Sequence, residues 1–107
     1  MNADYIQAVQ DAIRHMHGCA SRHVATVPVL EAFQGKTVWQ GDVEVFDLDG
    51  HPKACQCFAW GYQDDKGKWQ YVGVLALPPV ASPAEAVRAY ILMQGKNNHD
   101  PQPIPGT

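Results

Sequence analysis

The stretch VFDLDGHPKACQCFAW, residues 45–60, decides the fold. It holds two β-rich runs separated only by DGHP at residues 49–52. Asp-Gly favours a tight hairpin turn because both residues tolerate positive φ. A parallel pair would need a crossover of about a dozen residues or more, usually helical. The two runs are therefore predicted to be antiparallel neighbours.

The same pattern continues on both sides of this hairpin. From Val24 to Leu77 the hydrophobic period is close to two, and the connections at 34–35, 49–52 and 64–67 are short enough only for hairpins. Pro28 has no N–H to donate to a ladder, which predicts an edge position for the first strand. The predicted strands are Val24–Phe33, Lys36–Leu48, Lys53–Tyr62 and Lys68–Leu77.

A helix is predicted at each end of this meander. In residues 4–17 the apolar side chains recur at helical spacing, and Gly18 can end the helix. The motif SPAE at residues 82–85 is a capping-box start, and Gly95 offers a stop. The apolar stripes are Ile6, Val9, Ile13 and Met16 in the first helix and Ala86, Val87, Tyr90 and Ile91 in the second. The order α-β-β-β-β-α predicts an α+β domain, a four-stranded antiparallel meander flanked by two helices.

Length and composition set the domain organisation. The chain has 107 residues, of which 46% are hydrophobic and 18% charged, which fits one globular domain. We expect that domain to span residues 1–95. The remaining residues, 96–107, have three prolines in alternation and little to bury, so we predict a flexible Pro-rich C-terminal tail.

Composition also excludes several classes of function. No apolar run approaches the ~20 residues of a membrane span, and a net charge of −3 with scattered basic residues gives no footprint for nucleic acid. The N-terminus lacks the basic and apolar regions of a secretion signal. Three cysteines, an odd number, argue against a disulfide framework. We expect a cytoplasmic protein with reduced thiols.

The run VFDLDG resembles the nucleophile loop of haloacid-dehalogenase-like phosphatases, with Asp47 and Asp49 as the paired aspartates. That resemblance implies a parallel, doubly wound sheet, which the short connection after Asp49 does not allow. His51 also stands where that family has threonine. We interpret the motif as a hairpin turn.

A second resemblance covers residues 36–92. The runs VEVFDLDGHPKA and PPVASPAEAVRA are similar to those of small uncharacterised bacterial α+β proteins. No function comes with this resemblance, which supports only the integrity of the domain.

Alternation along the strands predicts which side chains share a face. If all three hairpin loops hold an even number of residues, one face collects most aromatic side chains, with Trp39 near Trp60 and Tyr62 near Trp69. The reverse face is still largely apolar, and two short helices cannot cover both faces. We therefore expect a homodimer. The predicted interaction face is Val27, Val29, Cys55, Cys57, Val72 and Val74, with Leu92 adding to it and Asp42 and Glu44 as its polar groups.

Candidate metal ligands cluster in HMHGCASRH, residues 15–23. Residues two apart on a helix point about 200° apart, so His15 and His17 cannot share a metal on the helix. Cys19 and His23 complete the set, and helix-end side chains near the negative pole are the alternative explanation. We predict no metal and no cofactor.

Cys55 and Cys57 are open to two interpretations. They can be small buried hydrophobes, or a Cys–carboxylate metal site or redox pair beside Asp42 and Glu44. Nearby carboxylates raise thiol pKa, which disfavours a reactive thiolate.

The sequence supports two hypotheses about function. The first is a non-catalytic, self-associating binding module for a small molecule or a protein. The alternative is a small ligand- or metal-dependent enzyme that uses His15, Cys19 and His23 or the Cys55/Cys57 pair.

Overall fold

The computed structural model describes residues 3–99 and contains one four-stranded antiparallel sheet with two helices. The strands follow one another across the sheet in the order β1-β2-β3-β4. The predicted α+β fold and its order α-β-β-β-β-α are confirmed, with Pro28 in an edge strand. The elements are α1 (Ala3–His17), β1 (Ala20–Phe33), β2 (Lys36–Asp49), β3 (Gln56–Gln63), β4 (Trp69–Leu75) and α2 (Pro83–His99).

The two helices pack on opposite faces of the sheet. The buried side chains of α1, Val9 and Ile13, pack with Phe46, Cys57 and Ala59. The buried side chains of α2, Ala86 and Val87, pack with the other face at Val29, Val43, Val45, Phe58 and Trp60. The expectation that the helices would leave one face uncovered is therefore wrong, because each apolar face has its own helix.

The face predicted for β4 is also wrong, because its hairpin loop is one residue longer than expected. Gln63 pairs with Trp69, and Asp64 N–H donates to the Lys68 carbonyl at 2.9 Å. Val74 then lies opposite Phe58 and Val72 opposite Trp60, both on the α2 face. Cys57 lies on the α1 face with Phe46.

The face predicted for β1 is wrong because β2 has a β-bulge opposite it. The register with β2 shifts between Glu31 and Ala32, so Val29 pairs with Gly41 and Val27 with Val43. Because a shift of one residue exchanges the two faces, Val27 and Val29 join the α2 face. A second shift lies between His23 and Ala25.

The helix ends follow the predicted signals in part. Gly18 has a φ of 71°, and its N–H donates to the Arg14 carbonyl at 2.8 Å, which ends α1 as expected. Gly95 does not end α2, which runs to His99, so residues 96–99 of the predicted tail are helical. The rest of that tail, residues 100–107, lies outside the described residues. Within residues 3–99, no helix has both the length and the apolar character needed to cross a membrane.

Candidate functional site

A cleft opens where the two hairpins of the sheet separate. β2 and β3 pair only between Glu44–Asp47 and Gln56–Ala59. Beyond that point β2 continues its pairing with β1 as far as Lys36, and β3 continues with β4 as far as Gln63. The sheet is therefore continuous at one end and divided at the other.

Two glycines, Gly41 in β2 and Gly61 in β3, line the cleft near the start of the division. If the β2–β3 pairing continued two residues further, Asp42 would lie opposite Gly61, but the Gly61 N–H donates to the Tyr5 hydroxyl at 2.8 Å instead. A Cβ at position 61 would lie 2.8 Å from Cε1 of Tyr71 and 3.2 Å from Cε1 of Tyr5. Glycine is thus required for the rings to approach the strand. The Tyr5 hydroxyl takes the place of a main-chain acceptor.

On the β2 side of the division, Gly41 likewise leaves room for an aromatic ring to lie against the strand. A Cβ at this position would lie 3.2 Å from Cη2 of Trp39, so the indole lies along the strand beside it. The Trp39 and Trp60 rings are in contact, with centroids 5.2 Å apart, which confirms that predicted pair. The predicted Tyr62–Trp69 pair is wrong, because Trp69 pairs with Gln63 and stacks on Tyr71, 6.2 Å between centroids.

Six aromatic side chains line the cleft, which has a volume of about 630 Å³. All three tryptophans of the chain are among them. Trp60 contacts Tyr90 edge-on at 5.4 Å, and Trp69 lies 5.9 Å from Tyr5, measured between ring centroids. Trp69 keeps 46% of its surface exposed, so the aromatic wall is open to a ligand. The aromatic lining residues are Tyr5, Trp39, Trp60, Tyr62, Trp69 and Tyr90.

A buried carboxylate lies in the polar part of the wall. Glu44 is only 4% exposed, and its Oε1 accepts a hydrogen bond from His23 Nε2 at 2.8 Å and another from the Thr26 hydroxyl. The His23 ring is held against Phe46, with centroids 5.3 Å apart. Glu44, His23 and Thr26 all line the cleft, together with Asp42. This combination of aromatic walls and a few convergent polar groups is typical of ligand sites.

Both of these hydrogen bonds reach the same oxygen of Glu44. Among residues 3–94, whose side chains the structure describes, Oε2 has no hydrogen-bond partner. In that same part of the chain, Ser21 Oγ is the only side-chain oxygen or nitrogen that is fully buried and has no hydrogen-bond partner. Oε2 of Glu44 is therefore not fully buried, and because Glu44 lines the cleft, this oxygen can accept a hydrogen bond from a bound ligand.

Tyr5 completes the polar wall as a neutral phenol. Burial raises its pKa above 10.0, and the nearby Glu44, Tyr71 and Asp42 raise it further, although the hydrogen bond from Gly61 lowers it. Its oxygen already accepts the Gly61 N–H. The hydroxyl proton remains available to an acceptor in the cleft.

The candidate metal ligands do not come together. His15 is exposed, Cys19 is buried, and His17 Nε2 lies 3.2 Å from the Gly73 carbonyl oxygen. His23 alone of the set lines the cleft. In residues 3–99 no group of three His, Cys, Asp or Glu residues is placed to hold a metal ion.

The cysteine pair is divided between surface and core. Cys55 is exposed, whereas Cys57 is fully buried, and burial, with a smaller contribution from Cys19, raises the pKa of the Cys57 thiol to about 12. A thiol with so high a pKa is a poor nucleophile at neutral pH. His51 has a turn role, because its Nδ1 accepts the N–H groups of Lys53 and Ala54, each at 3.0 Å.

The predicted interaction face is not one surface. Its four valines, Val27, Val29, Val72 and Val74, pack in the core beneath α2. Cys57 lies beneath α1, and Leu92 is 68% exposed on α2. The polar groups Asp42 and Glu44 do meet in the cleft.

Sequence reasoning missed the aromatic cleft, although one signal was present. Gly41 and Gly61 lie inside predicted strands, and each stands next to or near aromatic residues, as in the run WGY at 60–62. Glycine within a strand marks close approach of another group.

Comparisons with protein families, with curated proteins and with solved structures found no match to this chain.

Proposed function

We propose that this protein is a non-catalytic binding module that holds a small organic molecule between its two hairpins. The observation that carries the proposal is the division of the sheet beyond Glu44 and Ala59, which leaves an aromatic cleft of about 630 Å³. Volumes of roughly 300–1,000 Å³ are usual for small-molecule sites. Trp39 and Trp60 would supply apolar contact area, while Glu44 and Tyr5 would fix the orientation of the ligand.

The position of Trp69 supports this proposal. Large aromatic side chains normally bury most of their surface, yet Trp69 is 46% exposed at the rim of the cleft. A flat apolar ligand that stacks on this ring would cover that surface. The half-exposed ring of Tyr62, at 38%, lies on the same rim.

Screening a small-fragment library by ligand-observed NMR tests the proposal. We expect fragments to bind the wild type and to weaken about fivefold with Trp69→Ala, since an aromatic contact contributes about 0.5–1.5 kcal/mol. Phe33→Ala is the matched control, because Phe33 is an aromatic residue with 65% exposure that does not line the cleft. A wild type that binds no fragment, or equal loss in both variants, would contradict the proposal.

Self-association is the second candidate, and it is now supported by a different surface. The exposed fractions of Phe33, Val38 and Leu92 are 65%, 49% and 68%, and the three side chains line one apolar groove between the β1–β2 hairpin and α2. Exposed apolar patches of this kind are frequent at protein interfaces. Leu92 is the one residue of the predicted interface that lies there.

We also infer a reducing, cytoplasmic environment. Cys19, Cys55 and Cys57 are all free thiols, and Cys55 is exposed. Exposed free cysteines are uncommon in oxidising compartments, where they pair or react.

A further inference from the structure

We propose that the ligand of the cleft is a protonated amine attached to an apolar or aromatic body. This inference rests on the proposed function and names the chemical class that the site would select. Three observations support it: a buried carboxylate oxygen that has no partner among the described residues, aromatic rings that line the same cleft, and a lining that has no lysine or arginine in the described part of the chain.

The first observation is the state of Glu44. Burial of a carboxylate is unfavourable unless hydrogen bonds or an opposite charge compensate for it. Glu44 is 4% exposed, and its two protein partners, His23 and Thr26, both bind Oε1. An ammonium N–H donating to Oε2 would satisfy the remaining oxygen with a charge-assisted hydrogen bond.

The second observation is the set of aromatic rings that line the same cleft as Glu44. The faces of Trp and Tyr rings attract a cation within about 6 Å of the ring centroid. Trp39, Trp60 and Tyr90 form a contacting series with centroid distances of 5.2 and 5.4 Å. Glu44 lies opposite Ala59 on the α1 face, whereas these rings pack on the α2 face. A ligand that passes between the hairpins would therefore place its apolar body on the rings and its ammonium group at Glu44.

The third observation is the charge of the lining. Asp42 is exposed and lines the cleft with Glu44, whereas no lysine or arginine does so among the described residues. An anionic ligand would meet two carboxylates and no fixed cation. A neutral ligand would bring no charge opposite to these two carboxylates, so the cation has the advantage.

Three probes with similar ring bodies isolate the effect of charge: 2-phenylethylamine, 2-phenylethanol and phenylacetate. Tryptophan fluorescence is a direct readout, because all three tryptophans line the cleft. At pH 7 and low salt we expect the protonated amine to bind at least about tenfold more tightly than the alcohol. Phenylacetate should show no saturable binding.

Charge-removing variants assign the preference to the carboxylates. Glu44→Gln should weaken amine binding at least about tenfold and leave alcohol binding within about twofold. Asp42 is exposed, so we expect Asp42→Asn to retain the fold and to weaken amine binding about threefold. This variant replaces Glu44→Gln as the test if Glu44→Gln does not fold. Asp65→Asn removes the same charge from an exposed turn position outside the cleft lining and should change nothing.

The outcomes separate this inference from the proposed function. Equal affinity of the amine and the alcohol, unchanged by both variants, would overturn the amine class and still support a binding cleft. Absence of binding by all three probes would also overturn the amine class. The fragment screen with Trp69→Ala then tests independently whether the cleft binds small molecules.

Discussion

Cys57 shows how burial sets the chemistry of one side chain. It is fully buried on the α1 face beside Phe46, and burial raises the pKa of its thiol to about 12, with Cys19 contributing. Cys55, two residues earlier in the chain, is exposed. The two thiols therefore have different roles, and Cys57 acts as a small apolar residue of the core.

The raised pKa of Cys57 predicts a loss of stability in alkali. The unfolded thiol ionises near the ordinary value of 9.0, whereas the folded thiol keeps its proton to about 12. The native state thus binds the extra proton, so its contribution is complete below pH 9 and falls as the pH rises towards 12. Unfolding free energies from urea titrations across this range should fall less steeply for Cys57→Ala than for the wild type.

Cys55→Ala is the control for this prediction, because Cys55 is exposed and should leave the pH dependence unchanged. The quantity to compare is the slope of the unfolding free energy against pH, because Cys57→Ala also leaves a cavity that lowers stability at every pH. Tyr5, whose pKa is also raised, contributes equally to all three proteins. Identical slopes for Cys57→Ala and the wild type would count against a buried, protonated thiol.

At the scale of an element, α2 depends on its capped first turn. Glu85 N–H donates to Ser82 Oγ at 3.3 Å, and Glu85 Oε1 accepts the Ala81 N–H at 2.8 Å. These bonds satisfy main-chain donors that the helix itself cannot. The turn fixes where Ala86 and Val87 enter the core and where Tyr90 reaches the cleft.

Removal of this cap should destabilise the protein. We expect Ser82→Ala to lower the free energy of unfolding by about 1 kcal/mol, since the Glu85 N–H loses its acceptor. Ser21→Ala is a matched control, because Ser21 Oγ is buried and has no hydrogen-bond partner among the described residues. That substitution should leave stability unchanged or raise it. Chemical denaturation measures both, and a larger cost at Ser21 would refute the assignment.

At the scale of the whole molecule, the two hairpins share a common base and separate towards their tips. The base is the short β2–β3 ladder, covered by α1 on one face and α2 on the other. Tyr5 from α1 and Tyr90 from α2 both reach the cleft. The site therefore exists only when both helices are docked, and its stability is tied to that of the complete domain.

The self-association candidate is tested on the intact chain. If the groove at Phe33, Val38 and Leu92 joins two copies, sedimentation at high micromolar concentration should give a dimer that Leu92→Glu converts to monomer. Met93→Glu is the control, because Met93 is 61% exposed on the same helix but does not line the groove. A monomeric wild type would remove this candidate.

The candidate site was only partly predictable. Asp42 and Glu44, which the sequence groups as polar neighbours, both line the cleft, because alternation within one strand is a local property. The contact of Trp39 with Trp60 also followed from the predicted face parity between β2 and β3, which the observed register keeps. Tyr5 could not be predicted as part of the site, since its hydroxyl reaches Gly61 from a distant helix. That contact depends on how α1 docks, which no short stretch of sequence encodes.

The sequence by itself determined the elements and their antiparallel order, because hairpin-length connections and hydrophobic period act over a few neighbouring residues. Tertiary structure alone decided which face each strand presents, because the bulge between Glu31 and Ala32 and the longer loop after Gln63 each shift the register by one. It also decided where the helices lie and where the sheet divides. These features result from packing between residues far apart in the chain, where each apolar face takes the helix that best buries it.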